Sequence, residues 1–296
     1  MRYIIGVDVG GTNIKGVLID QKGKVIEKII KKTSQTKIRE EIVLFIEEII
    51  EKSKIKRRKI KGIGIGFPGI IDKKRERIDV LPNIKKFRDN DIKKYLESKT
   101  GFKIRIENDS NCAVLAESIL GIGKDYENVI GLSIGTGIGG GIVINKKIYT
   151  GNRAAGEFGH LIIEENGRLC SCGNKGCLEE YISKKGIIKN AKQAGLSEKG
   201  KDLYELYELA KKGNKKALKV FRESGVYLGK GLAQITKVLD PEIIVINGGI
   251  ANSGEFIFPY AEKEMKKRVF FKTDCKIKKG KLKDFAGAVG AACLWF

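Results

Sequence analysis

A segment near the N-terminus returns 125 residues later. Gly6 to Ile19 (GVDVGGTNIKGVLI) lies without a gap on Gly131 to Ile144 (GLSIGTGIGGGIVI), with identities at Gly6/Gly131, Gly10/Gly135, Gly16/Gly141 and Ile19/Ile144. Each copy reads as a buried strand, a glycine-tipped turn and a returning strand. Such a repeat predicts two related lobes, each opening on the same hairpin. Neither turn is a P-loop, because no glycine run ends in Gly-Lys-Ser/Thr. Neither is a dinucleotide fingerprint, because each leads into a strand instead of a helix. Backbone N–H groups at a glycine tip form a nest for phosphate, and two facing tips would grip a nucleotide's phosphates from both sides. Asp8 sits among apolar residues just before the first tip, where an unpaired charge is expensive and a magnesium ion would satisfy it. An ordinary hairpin with an edge carboxylate has the same spacing.

The rest of the chain alternates strands and helices. Apolar periodicity predicts a helix over 38–53, with Ile38, Ile42, Phe45, Ile46, Ile49 and Ile50 on one face. Lys61 to Phe67 reads as a strand ending in the Pro68-Gly69 turn, and Pro82-Asn83 marks a second turn. A short helix over 91–100 and a strand over 103–107 precede Glu107-Asn108-Asp109-Ser110-Asn111, which leads into a helix over 112–120. Acids and amides at a helix start are common caps. They also suit a carboxylate placed to accept a proton from an attacking hydroxyl. Helices are expected over 180–194, 202–212, 215–239 and 255–267, with strands over 242–247 and 275–278. Gly225, Gly229 and Gly231 in the long helix fit close helix packing or an approach to nucleotide. The Gly248-Gly249 turn suits passage under a flat ligand. A small-residue helix closes the chain. This order predicts an α/β fold with a mixed sheet in each lobe.

Between the second hairpin and residue 180 lie three of the six cysteines and the one histidine. His160, Cys170, Cys172 and Cys177 form a one-His, three-Cys set that suits tetrahedral zinc over magnesium or calcium. Gly173 and Gly176 lie where a tight loop around a metal needs positive backbone angles. Four protein ligands leave no open position, so the expected zinc is structural. Buried thiols acting as small hydrophobes, or a disulfide, are the alternatives.

The 296 residues carry a net charge of +22, mostly from lysine. The basic runs are not interleaved with aromatics and no nucleic-acid motif occurs, so a solvated, lysine-rich surface is expected and no nucleic-acid partner. No apolar run reaches a membrane span, and the N-terminus passes straight into a strand without a signal-peptide pattern. Clustered cysteines without a disulfide framework fit a reducing cytoplasm.

Asp8-x-Gly-Gly-Thr, Gly-Phe-Pro-Gly (66–69), Pro-Asn, Glu-Asn-Asp-x-Asn, Gly-Thr-Gly-Ile-Gly-Gly-Gly, Ala-Gly-Glu-x-Gly-His and Cys-x-Cys-Gly-x-x-Gly-Cys-x-Glu occur in the order seen in the ROK family of repressors, open reading frames and kinases. The resemblance covers essentially the whole chain. It implies the actin-like, hexokinase-type (ribonuclease H-like) two-lobed fold, with a sugar in the cleft between lobes. The implied lobes are 1–108, completed by a helix over 286–296, and 109–285 with the zinc loop. The resemblance places Asp109 as the base that accepts the sugar hydroxyl's proton. It places Gly69, Asn83, Asn108, Glu157, His160 and Glu179 on the sugar, His160 with one ring nitrogen while the other binds zinc. Asp8, Gly10, Gly11, Thr12, Lys15, Gly135, Thr136 and Gly137 would face ATP and its magnesium, with Gly248 and Gly249 near the adenosine.

The function this implies is an ATP-dependent hexokinase, with glucose phosphorylated on its 6-hydroxyl. Other hexoses or N-acetylated sugars, polyphosphate as donor, and a non-catalytic sugar sensor are the alternatives. Sugar-sensing repressors of the family usually carry an N-terminal helix-turn-helix, whereas the phosphate hairpin here begins at residue 3. A homodimer or tetramer is expected from the resemblance.

Overall fold

The computed structural model describes residues 1–34, 37–72, 74–80, 91–196 and 202–296. They form two compact units, residues 1–127, 141–155 and 281–296 in one and 128–140 and 156–280 in the other. The helix that opens at Asp109 belongs to the first unit, although the expected boundary fell at 108, and so does the C-terminal helix Ala286–Cys293.

The first sheet contains β1 (Tyr3–Val9), β2 (Asn13–Asp20), β3 (Val25–Lys32), β4 (Ile60–Phe67) and, after the short hairpin β5 (Ile70–Ile71) and β6 (Ile78–Val80), β7 (Ile104–Asn108). Its order is β3-β2-β1-β4-β7. The first two pairings are antiparallel and the last two parallel. The same unit holds α1 (Ile38–Ser53), α2 (Ile92–Thr100) and α3 (Asp109–Ile119). Helix α1 buries Ile38, Ile42, Phe45, Ile46, Ile49 and Ile50, the face its periodicity predicts, in one core with Val7, Leu18, Ile63 and Ile65. The C-terminal helix reaches the sheet through glycines: a Cβ on Gly6 would stand 1.9 Å from the carbonyl oxygen of Ala288, and one on Gly64 1.7 Å from that of Ala291. Contact this close between strand and helix backbones excludes any side chain at either position.

The second sheet contains β8 (Val129–Ile134), β9 (Ile138–Ile144), β10 (Lys147–Ile148), β11 (Ile243–Asn247) and β12 (Lys276–Lys279), in the order β10-β9-β8-β11-β12. Strands β8 and β9 fall where the repeat places them relative to β1 and β2. Outward from β8 come two parallel neighbours, β11 and β12, as β4 and β7 follow β1. The repeated sequence is therefore a repeated topology, and two mixed sheets with helices make the α/β class expected.

Helices α4 (Glu179–Ile182), α5 (Lys184–Gln193), α6 (Leu203–Lys211), α7 (Lys215–Leu239) and α8 (Gly254–Arg268) complete the second unit. A single helix over 180–194 is not what forms. Ser183 adopts an extended conformation (φ −65°, ψ 165°), and its hydroxyl accepts the Gly186 N–H at 3.2 Å, so a new helix starts there. Helix α3 begins three residues before its expected start for the same reason, Asn108 being its cap. Gly225 and Gly229 serve helix packing: a Cβ on either would stand 2.5 and 2.6 Å from the carbonyl oxygens of Ile257 and Ala261 on α8. No helix among the described residues is long and apolar enough to cross a membrane.

Candidate functional site

In the first unit the parallel strands β1, β4 and β7 end side by side, the end at which open α/β sheets hold ligands. Asp8 lies near the end of β1, opposite Gly66 on β4 and Lys15 on β2. Gly66 in turn pairs with Glu107 on β7, and the next two residues turn into α3. Asn108 is the N-cap: its Oδ1 accepts the N–H groups of Ser110 (2.9 Å) and Asn111 (3.0 Å), and its Nδ2 donates to the Gly69 carbonyl at 2.8 Å. Asp109 is then the first helical residue, with Oδ1 accepting the Ser110 N–H at 2.7 Å. A Cβ on Gly66 would lie 3.4 Å from Asp109 Cα, so α3 starts in van der Waals reach of β4.

This places two carboxylates within electrostatic reach of each other. Asp8 keeps some exposed surface, yet its pKa rises from 3.8 to about 7. Burial is the largest cause and the Asp109 charge the second, while Lys15 pulls the other way. A Cβ on Gly287 would stand 2.7 Å from the Asp8 carboxyl, so the C-terminal helix packs directly against it. The adjoining turn is braced as well. The Gly10 N–H donates to the Asn13 carbonyl (3.0 Å), and the Thr33 hydroxyl donates to the Gly10 carbonyl (2.6 Å). Lys15 is tied by its Nζ to the Asp284 carbonyl at 2.9 Å.

In the second unit Glu179, the first residue of α4, joins the second hairpin to the cysteine loop. Its Oε2 accepts the Ile138 N–H at 2.7 Å, and a Cβ on Gly137 would stand 2.6 Å from that oxygen. The turn Gly135–Gly137 closes on itself through Gly135 N–H to Gly137 O at 2.9 Å, and the Lys184 N–H donates to the Gly135 carbonyl at 2.8 Å. Gly248 has φ +87°, and a Cβ there would stand 2.3 Å from the Ile134 carbonyl oxygen.

His160, Cys170, Cys172 and Cys177 converge, with one ligand atom from each within 4.8 Å of the others. Cys170 Sγ lies 3.6 Å from His160 Nδ1, and Cys172 Sγ lies 3.6 Å from Cys177 Sγ. A zinc tetrahedron with Zn–S bonds of about 2.3 Å has edges of about 3.8 Å. The donor chemistry and the spacing therefore fit zinc. Gly173 and Gly176 have φ +92° and +82°, as a tight loop around a metal requires. Nδ1 faces the sulfurs, which leaves Nε2 as the ring nitrogen for another partner.

The structure thus gathers Asp8, Gly10, Lys15, Gly69, Asn108 and Asp109 in one unit and Gly135, Gly137, His160, Glu179 and the cysteines in the other. Glu157 immediately precedes the short 3-10 turn that carries His160 and is exposed. Asn83, expected on the sugar, lies outside the described residues. Sequence reasoning missed Thr33, the Arg75–Glu107 ion pair at 2.7 Å, and Arg168. Arg168 stacks on Tyr181 and donates to Asn190 Oδ1 and the Glu180 carbonyl, bracing the cysteine loop. An inward-facing acid on β7 directly before Asn108-Asp109 was a usable signal for Glu107. Arg75 and Arg168 carried none.

Known proteins of similar sequence and fold include both kinases and repressors. A glucokinase of Thermotoga maritima is 33% identical over 276 residues, covering 88% of this chain and 86% of the relative. A xylose repressor of Bacillus spizizenii is 34% identical over 272 residues, covering 90% of this chain and 70% of the repressor. The crystal structure of a ROK family glucokinase from Streptomyces griseus, in complex with glucose and AMPPNP, superposes with a TM-score of 0.80 at 30% identity, covering 99% of this chain and 98% of that one. The α/β architecture is therefore the actin-like one of ROK hexokinases. Residues 4–296 match the ROK family along almost their whole length, and the chain belongs to that family.

Proposed function

We propose that this chain is an ATP-dependent hexose kinase and that its sugar is glucose, phosphorylated on the 6-hydroxyl. The observation that carries the reading is the Asp8 and Asp109 pair at the ends of β1 and β7, the strands that flank β4, beside a braced glycine turn. Asp109 would accept the proton of the sugar hydroxyl as its oxygen attacks the terminal phosphorus and the bond to ADP breaks. Gly10, Gly11, Thr12, Gly135, Thr136 and Gly137 would hold the phosphates, with Gly248 and Gly249 near the adenosine. Magnesium bound with the nucleotide would neutralise phosphate charge in front of Asp8. Gly69, Asn83, Asn108, Glu157, His160 Nε2 and Glu179 would orient the sugar. The glucokinase names of relatives support glucose, and the complex of the Streptomyces griseus enzyme supports a nucleotide donor.

The test is ADP release from Mg-ATP across a panel of hexoses and N-acetylhexosamines, with polyphosphate as a parallel donor. Glucose should lead in kcat/KM by roughly tenfold or more, the discrimination one pocket contact supplies. An N-acetyl sugar in first place would overturn the glucose assignment and keep the kinase. The similarity to a xylose repressor favours one other reading, a sugar sensor; it predicts measurable sugar binding with no turnover.

Zinc in the four-ligand cluster would hold His160 and Glu179 in place, since the loop carrying Cys170, Cys172 and Cys177 runs directly into Glu179. Elemental analysis of purified protein should find one zinc per chain. Cys172→Ser should lose zinc and sugar affinity together. A zinc-free wild type would remove the assignment.

A further inference from the structure

Strands β5 and β6 form a two-stranded hairpin that the phosphoryl-transfer reading leaves unused. Its turn is fixed by Asp72, whose carboxylate accepts the N–H groups of Lys74 (3.2 Å), Glu76 (2.7 Å) and Arg77 (2.7 Å). The Arg75 N–H donates to the Asp72 carbonyl at 3.0 Å. Arg75 takes up φ +59°, a left-handed conformation that a side chain of this kind rarely adopts. Strain of this sort persists where surrounding contacts hold it, and it clusters at functional sites. The Asp72 turn holds the backbone here, and it presents Nη1 of Arg75 to Oε1 of Glu107 at 2.7 Å.

Glu107 is 4% exposed. The same Oε1 accepts the Asn108 N–H at 2.8 Å and Nδ2 of Asn111 at 3.0 Å. Burial pushes the Glu107 carboxyl up, and the Arg75 charge is the largest of the influences that hold it down. The hairpin touches the same segment a second time through the Gly69 carbonyl, which accepts from Asn108 Nδ2. Residues 107, 108 and 111, which flank Asp109 in the chain, are thus held together.

We propose that Arg75 is a positioning residue: through Glu107 it fixes the backbone at Asn108 and the first turn of α3, and so sets where the Asp109 carboxylate points. The proposal rests on Asp109 being the base. A misplacement of a reacting group by about 1 Å costs on the order of 10²-fold in rate. Arg75→Met keeps the aliphatic stem and removes the guanidinium. It should lower kcat by about 10- to 100-fold while the KM for ATP stays within about twofold of wild type. Arg75→Lys should recover most of the loss. Glu107→Gln keeps an oxygen that can accept from Asn108 and weakens the hold on Arg75 by removing the charge, so it should show a smaller loss in the same direction. It carries the test if Arg75→Met does not fold.

The double variant should be no slower than the slower single one, because both residues act along one route. In an Asp109→Asn background, Arg75→Met should lower the residual rate no further, whereas a general structural defect would. Wild-type kcat in a folded Arg75→Met or Glu107→Gln protein, or losses that multiply in the double variant, would overturn the proposal. Asp109→Asn separates the two layers: if that variant is inactive and Arg75→Met is fully active, the positioning role alone fails. If Asp109→Asn is itself active, the base assignment falls first.

Discussion

Asp109→Asn is expected to reduce kcat by about 10²- to 10⁴-fold, the range a positioned general base contributes. The substitution is close to isosteric, and the structure says which of its functions survive. Oδ1 of Asp109 accepts the Ser110 N–H at 2.7 Å, a bond the amide oxygen of asparagine can keep. The Asn108 side chain, which accepts the Ser110 and Asn111 N–H groups, caps the helix and is untouched by the substitution. Fold and sugar binding should therefore persist, with the sugar dissociation constant within a few fold of wild type by calorimetry. A loss confined to kcat marks an interaction made in the transition state, whereas a rise in KM alone would mark uniform binding. A second signature follows from the electrostatics. The Asp109 charge is one cause of the raised Asp8 pKa, so the variant should titrate Asp8 at lower pH than wild type. A kcat within threefold of wild type would remove Asp109 from its role.

What the sequence made legible, and what it hid, follows from the range of the interactions concerned. The hairpins were readable because strand, glycine tip and returning strand are local, and because the chain spells them twice. The second sheet's order shows that the repeat extends to β11 and β12, whose sequences bear no evident likeness to β4 and β7. The cysteine cluster was readable because soft ligands at short spacing have few other uses. The Gly173 and Gly176 angles follow from the same tight loop. Boundaries were less legible where one side chain decides them. Ser183 splits a continuous helical pattern into α4 and α5, and serine within such a pattern does not announce a cap. Arg75 was hidden for a different reason. Residues 72–77 (Asp-Lys-Lys-Arg-Glu-Arg) are all charged and hold no apolar residue that would set a period. That Arg75 turns inward depends on an Asx-type turn and on an acid 32 positions away. Thr33 is similar: its hydroxyl supports the first glycine turn because β3 pairs beside β2, a contact that no pattern within the turn itself encodes.

The Asp8 carboxyl should make the unliganded protein less stable as pH rises, and Asp8→Asn should remove that dependence. The sign comes from the raised pKa. An unfolded Asp titrates near 3.8, and in the fold Asp8 titrates at about 7. Below about pH 4 both states hold the proton and Asp8 contributes nothing. Between the two values the folded state binds more protons than the unfolded one, so stability falls with increasing pH; above about 7 the loss is complete. A shift of about 3 units corresponds to roughly 4 kcal/mol at most, and residual solvent contact reduces it. Asparagine keeps the shape without the charge beside Asp109. The variant should therefore melt several degrees above wild type at pH 8, with the gap narrowing towards pH 5, since 1 kcal/mol moves Tm by about 2–4 °C in a unit of this size. Mg-nucleotide should close the gap from the other side by stabilising wild type more than the variant, because a cation in front of Asp8 favours its ionised form. The variant should lose activity even as it gains stability, the usual relation at a site whose charges are arranged for chemistry. A gap that does not change between pH 5 and pH 8, or a wild type that melts higher at pH 8, would show that Asp8 does not carry this strain.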